Sequence, residues 1–476
     1  MTWPRPALTV VPQHRGTAIG LSSGRVLPLV HCGWTLGTRY LIAALFAPLI
    51  ALTGPARRIL LAIVLLDLPL QIDKNFNHLE DVAEFGGLGG FNVSVTTLAL
   101  AGLYAAWLVD RLACRDRSAW VPPGLVRPLA PYMCVMALSL IAARDVGLYA
   151  RGLFLHLQMF LVYVYLVGTV RSARDVRFVV TCLLCGLVLE GLIIIGLGLA
   201  GEGFNVAGLV GRIDTSTDDE WVSAASARFG GTVGSPNGAA EYLEMLLAPA
   251  VAVLGSNLGR SSKTLALLGL GLGSAALLGT LSRGGWIATA LSVTIVCIAL
   301  RRRGRLSRMF PLLLIGLLAA LSLAFRGSIA ARLTDDDLGA AHSRFPLMET
   351  ASRIIADNPL VGVGANNYTA ALPDYASRHQ DNEFLYTVHN QYLLVWVETG
   401  LVGLAAFLWF LIATIRRGCV RWKRRDALLS PLALGLTAAL VGQMVHMQAD
   451  LFNGRPQLQL LMTVAALIGA MSRMES

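Results

Sequence analysis

Charge is the scarcest ingredient of this sequence. Asp, Glu, Lys and Arg make up 14% of its 476 residues, against roughly 25% in a soluble globular chain. With 55% hydrophobic residues and a mean hydropathy of +0.62, too little polar surface remains to clothe a water-soluble body. The period-two alternation of a membrane barrel is also missing. Apolar runs such as Val176–Ala200 and Leu401–Ile415 are continuous, and a helix needs about 20 mainly apolar residues to cross the hydrocarbon layer. Only helices and closed barrels satisfy their own backbone in lipid. The expected fold is therefore all-α, a polytopic transmembrane helix bundle of about 12–14 spans with a large external loop containing short helices.

Other absences narrow the function. The seven cysteines are scattered, mostly through apolar segments. Cys182 and Cys185 have metal-like spacing but share an apolar helix without further ligands, so packing is the simpler reading. Met1–Gly37 is mixed, contains Pro and Gly and lacks a compact apolar core, so no cleavable signal peptide is expected. No two halves match in span length and no pair of interrupted helices recurs, which counts against a transporter. The net charge of +10 does not point to nucleic acid, because the basic residues gather in short inter-helix loops, the pattern that orients a membrane protein.

Spans are expected near Thr38–Leu52, Arg58–Ile72, Val93–Val109, Pro128–Ala142, Tyr149–Val170, Val176–Ala200, Ala239–Leu254, Thr264–Thr280, Gly285–Leu300, Met309–Phe325, Asn390–Ile415, Leu429–His446 and Leu458–Met471. Arg301, Arg302, Arg303, Arg305 and Arg308 fill one short loop. Arg416, Arg417, Arg421, Lys423, Arg424 and Arg425 fill another. With Arg111, Arg115 and Arg117, Arg171 and Arg174, and Arg260 and Lys263, they fall on one side, expected to be cytoplasmic. Thirteen spans then put the N-terminus outside, against the preference of Arg5, Arg15, Arg25 and Arg39. The expected organisation is an extension over residues 1–37, N-terminal transmembrane helices over 38–200 and central ones with arginine motifs over 201–325. A large periplasmic loop over 326–388 and C-terminal helices over 389–476 follow. That loop carries eight acids against five arginines, and long loops in a compact protein are usually functional. Within it Ser343–Asp357 reads as a helix, with Ser343 as cap and Phe345, Leu347, Met348, Ala351, Ile354 and Ile355 along one side.

Three groups stand at outer span ends. Arg228 lies in Arg228-Phe-Gly-Gly-Thr-Val-Gly-Ser-Pro-Asn237-Gly, where Asn237 is a candidate N-cap and the helix start favours an anion; an ordinary turn is the alternative. Arg283 lies in Ser282-Arg283-Gly284-Gly285-Trp286. An arginine at membrane depth usually faces a cavity or partner, or else snorkels to the interface. His389 opens the span after the long loop, and a neutral imidazole there suits proton abstraction from a hydroxyl. His156 and His446 read instead as packed or hydrogen-bonded. Asn366, Asn367, Tyr368, Tyr375 and Tyr386 suit a sugar surface, but so do many surface loops. The Gly400-Leu-Val-Gly403 run reads as close helix packing, and Asp335-Asp336-Asp337 as a solvated turn.

These motifs resemble those of the O-antigen ligase and O-antigen polymerase superfamily of bacterial envelope glycosyltransferases. The specific part runs from Ser343-Arg-Phe-Pro-Leu through Asp357-Asn-Pro-Leu-Val-Gly-Val-Gly364-Ala-Asn-Asn-Tyr368 to Val388-His389-Asn390-Gln-Tyr392-Leu and Glu398-Thr-Gly400. The Arg228…Pro236-Asn237 and Ser282-Arg283-Gly284 motifs follow the same order. The resemblance covers roughly Arg228 to Ala470. It departs at Met348, where a tryptophan is common. It implies a metal-independent, cofactor-free, inverting glycosyltransferase in the bacterial inner membrane, with its active site facing the periplasm. The implied donor is a glycan on an undecaprenyl-pyrophosphate-type lipid carrier. The acceptor would be a glycan, lipid or protein hydroxyl, as in lipopolysaccharide or exopolysaccharide biosynthesis. Membrane lipid is an expected partner and nucleic acid is not. By the resemblance His389 is the general base, and Arg228 and Arg283 hold the pyrophosphate. Arg344, Asn237, Asn390 and Tyr392 complete the expected substrate-binding set. Ligase and polymerase both remain open here. A transporter or flippase for lipid-linked sugar is the reading from another class, with Glu190 and Asp67 as its coupling groups.

Overall fold

The computed structural model describes residues 54–112, 123–206, 209–214, 227–334, 344–375 and 386–474. Helix α1 (Gly54–Leu70) leads through a hairpin, β1 (Asp73–Phe76) against β2 (Phe91–Ser94), into α2 (Val95–Leu112). Then come α3 (Ala130–Leu138), extended by a 3-10 turn over Ser139–Ala142, α4 (Val146–Thr169) and α5 (Ala173–Ala200). Asp145 caps α4, accepting from the Leu148 N–H at 2.8 Å. Ser172 and Asp175 form a capping box on α5, which stops at Gly201 in the left-handed region. Strands β3 (Phe204–Val206), β4 (Leu209–Asp214) and β5 (Arg228–Gly231) make a small antiparallel sheet. Four helices follow: α6 (Pro236–Leu254), α7 (Arg260–Gly279), α8 (Arg283–Arg302) and α9 (Met309–Ala324). Outside the bundle lie α10 (Arg344–Asp357) and α11 (Tyr368–Tyr375); α12 (Gln391–Lys423), α13 (Leu429–His446) and α14 (Arg455–Arg473) end the chain.

The fold is the expected helix bundle. Seven helices among the described residues are long and apolar enough to cross a membrane, so this is a multi-pass membrane protein. Every expected span on described residues contains a helix, although Val93–Ser94 belong to β2 and Gln71–Ile72 lie past α1, and Leu429–His446 coincides end to end. Thr38–Leu52, the extension over 1–37, Arg115, Arg117, Ser343 and Asp335–Asp337 lie outside the described residues. The two small sheets were not anticipated, because strands of three to six residues leave little periodicity to read.

Nearly every residue of α6, α13 and α14 is buried. Helix α9, by contrast, buries none and turns Leu312, Leu313 and Ile315 outward. The basic loops converge at one end. Arg303 donates to the Trp422 carbonyl at 2.7 Å and stacks on the Trp422 ring, and Arg305 donates to the Ala427 carbonyl at 3.1 Å. Arg424 reaches the Met474 carbonyl and Arg473 the Val170 carbonyl, so guanidinium groups satisfy carbonyls freed at helix ends.

At the other end the loop docks on a broken helix, which corrects the reading of Gly400. This residue has φ +69° and interrupts α12. A Cβ there would lie 2.1 Å from the Leu360 carbonyl oxygen, so the glycine admits loop backbone rather than a neighbouring helix. The Val363 and Gly364 N–H groups donate to the Val397 and Glu398 carbonyls at 2.9 Å, and Leu401 N–H donates to the Pro359 carbonyl at 2.9 Å. The Asn-Pro…Gly-x-Gly turn and the Glu-x-Gly break thus form one hydrogen-bonded joint. The stripe on α10 is also narrower than expected. Leu347, Thr350, Ala351, Ile354 and Ile355 are buried, whereas Phe345 and Met348 are exposed.

Candidate active site

A cavity of about 470 Å³ opens at the end of the bundle opposite the basic loops. His389, Arg228 and Asn237 line it together, although 161 positions separate the first two in sequence (389 − 228). The β1–β2 hairpin, the 83–90 turn, β5 and the start of α14 supply the rest of its wall.

His389 is held by the segment before it. The Thr387 N–H and hydroxyl both donate to the Phe85 carbonyl, at 2.9 and 2.7 Å. The Tyr386 ring lies 5.2 Å from the imidazole, centroid to centroid. Nδ1 of His389 is buried without a hydrogen-bond partner among the described residues. Burial pulls the imidazole below its usual pKa; the Asp450 carboxylate opposes this and the Arg344 guanidinium adds to it. The ring is therefore neutral at neutral pH and available as a base.

Arg228 is fixed from two sides. Its Nε donates to the Thr280 carbonyl at 3.1 Å and a terminal nitrogen donates to Asn237 Oδ1 at 2.7 Å. Asn237 in turn donates through Nδ2 to the Asp450 carboxylate. Asn237 is thus a bridge between a guanidinium and a carboxylate, and not the expected helix cap. Ser235 caps α6, accepting from the Gly238 N–H at 3.1 Å with Pro236 in the first turn, because a serine followed by proline fits that start better.

The other expected residues stand elsewhere. Arg283 begins α8 and does not line this cavity, yet Thr280, two residues before the Ser282 that caps α8, accepts from Arg228. A Cβ on Gly284 would lie 2.4 Å from the His446 ring, so the Arg-Gly-Gly start of α8 is pressed against that histidine. Arg344 begins α10 and acts on His389 through its charge. Asn390 caps α12, accepting from the Tyr392 and Leu393 N–H groups. The Tyr392 hydroxyl donates to the Met444 carbonyl at 2.8 Å. Asn366 and Asn367 are buried and bonded to the backbone of Leu88, Leu148 and Asp145, which makes them joints between the loop and the N-terminal half.

Asp450 and Arg455 escaped the sequence reading, as did the partners of Asp67 and Glu190. Asp450 follows α13 and reaches Asn237 across 213 positions. Arg455 is buried at the start of α14, paired at 3.0 Å with both Asp67 and Asp73. Asp67 also accepts from the Thr96 hydroxyl at 2.7 Å, and Glu190 accepts from the Thr232 N–H at 2.8 Å. Below the cavity, Gln443 donates to Glu241 at 2.7 Å and His446 Nδ1 lies 2.9 Å from Glu244, so His446 is hydrogen-bonded inside the bundle as expected. Among the described residues no group of three or more His, Cys, Asp or Glu side chains is placed to hold a metal ion.

A search of curated proteins finds no match to the chain. A family model described as O-antigen ligase matches residues 268–408, a segment that holds Arg283, the external helices, His389 and the broken helix. Over that segment the chain is similar to the O-antigen ligase family, and the match covers less than half of its length.

Proposed function

We propose that the protein transfers a glycan from a lipid-pyrophosphate carrier to an acceptor hydroxyl, with His389 as general base. The observation that carries this reading is one cavity holding a neutral, pKa-lowered imidazole and an arginine fixed by Thr280 and Asn237. The acceptor O–H gives its proton to the imidazole while its oxygen attacks the anomeric carbon. The anomeric C–O bond breaks, and its electron pair leaves on the pyrophosphate. Arg228 stands where it can neutralise that charge, and a preorganised guanidinium does so without reorganisation. Asp450 stabilises the imidazolium that forms, and Arg283, outside this cavity at the start of α8, is given no step. Direct displacement inverts the anomeric configuration, and the roles named need no metal.

The basic end is assigned to the cytoplasm and the cavity to the periplasm of a bacterial inner membrane. Transfer of finished glycan, ligase-type, is the preferred form. A polymerase extending glycan on its own carrier uses the same groups, and identification of the acceptor in the product separates the two. The test is turnover by purified protein with a lipid-pyrophosphate glycan and no added metal. His389→Ala is expected to lose about 10²–10⁴-fold in rate while donor binding persists. Unchanged turnover in this variant would overturn the base assignment, and a retained anomer would overturn direct displacement.

A further inference from the structure

A second cavity, of about 410 Å³, opens at the basic end between α1, α4 and α5. Arg57, Arg58, Arg174 and Arg177 stand around it. Two carboxylates are near, and both are committed: Asp110 pairs with Arg57, and Asp175 accepts from the N–H and hydroxyl of Ser172 in the capping box. Among the described residues the side chains of Arg58, Arg174 and Arg177 have neither an ion pair nor a hydrogen bond. Three unpaired like charges around one cavity repel each other. Arg174 adds to this by standing in the first turn of α5, where exposed N–H groups already carry positive partial charge. Most of the remaining lining is apolar, with Leu61, Val170, Phe178 and the ring of Tyr165 beside Thr169 and Thr181.

We propose that this cavity binds the phosphodiester headgroup of an anionic glycerolipid. Guanidinium forks match phosphate oxygens in pairs, and basic pockets between spanning helices hold anionic headgroups on the cytoplasmic side. Leu61, Val170 and Phe178 in the same lining offer apolar contact to an acyl chain, which favours a lipid over free phosphate. The site is remote from the glycan cavity and does not depend on its chemistry.

The test uses delipidated full-length protein in detergent, with bound mass by native mass spectrometry and melting temperature as readouts. Phosphatidylglycerol, phosphatidylcholine and inorganic phosphate are added separately. Phosphatidylglycerol is expected to bind and raise the melting temperature, and phosphatidylcholine to do neither. Arg58→Gln/Arg174→Gln/Arg177→Gln is expected to lose at least about tenfold in phosphatidylglycerol affinity, about 1.4 kcal/mol. Removing three charges elsewhere, Lys263→Gln/Arg302→Gln/Arg308→Gln, is expected to leave it unchanged. Equal binding of both lipids, or equal loss in both variants, overturns the proposal. Stabilisation by inorganic phosphate equal to that by phosphatidylglycerol assigns the cavity to a free anion and overturns the lipid. Should the triple variant not fold, the exposed single changes Arg58→Gln and Arg177→Gln are each expected to weaken binding about threefold, and no change in either overturns the proposal.

Discussion

The base role proposed for His389 requires a neutral imidazole, so its surroundings translate directly into an expected pH profile. Burial lowers its pKa, and the acid limb of turnover is expected below the ordinary histidine value of about 6.5. Asp450 holds that pKa up against burial. Asp450→Asn should therefore shift the limb to still lower pH while reducing maximal rate, since the imidazolium loses its counter-charge. Arg344 acts in the opposite sense, and Arg344→Gln should move the limb to higher pH. Rate profiles between about pH 4 and 9 check both signs, and shifts in the same direction would show that neither charge reaches the ring. The cluster was only half legible in advance. His389 and Arg228 were visible as polar groups at span ends. Asp450 was not, since a carboxylate in a turn looks ordinary until folding brings Asn237 beside it.

At the level of elements, the helices were readable because continuous apolar runs have one solution in lipid. Their polar exceptions were harder to place. Asp67, Glu190, Glu241 and Glu244 sit in apolar surroundings, and each is answered by a partner on another element or loop, which sequence spacing does not reveal. The break in α12 was misread for a similar reason: a Gly-x-x-Gly run that packs against a helix and a glycine that admits a loop look alike in one dimension. The joint at Gly400 makes its own forecast. Gly400→Ala combines a left-handed φ with a Cβ directed at Leu360, so it should destabilise by about 1–3 kcal/mol or more. Because the joint sets the register of the loop leading to His389, turnover should fall with it. Limited proteolysis of the 326–388 region, faster in the variant than in the wild type, would register the loosening; an unchanged digest with full activity would show the joint to be dispensable.

For the whole molecule, the proposed orientation rests on the contrast between its two ends. Arg303, Arg305, Arg417, Arg424 and Arg473 converge at one end, and Asp73, Asp450 and the His389 cavity occupy the other. Cysteine placed at Asn75 should react with a membrane-impermeant thiol reagent from the periplasmic side of spheroplasts. Cysteine at Arg305 should react only after the membrane is opened. The reverse pattern would invert the assignment of the cavity to the periplasm.

The burial of α6 also has a consequence for biogenesis. Its Glu241 and Glu244 are answered by Gln443 and His446, each 202 positions later. While the ribosome is still making the stretch between them, α6 carries two carboxyl groups with no native partner. Groups of that kind are costly in hydrocarbon, so the nascent half-protein must stay beside the insertion machinery or hold protons until α13 arrives. A chain terminated before Leu429 would keep most of its spans and still lack the helix that answers its most central one, a defect for membrane proteases to recognise.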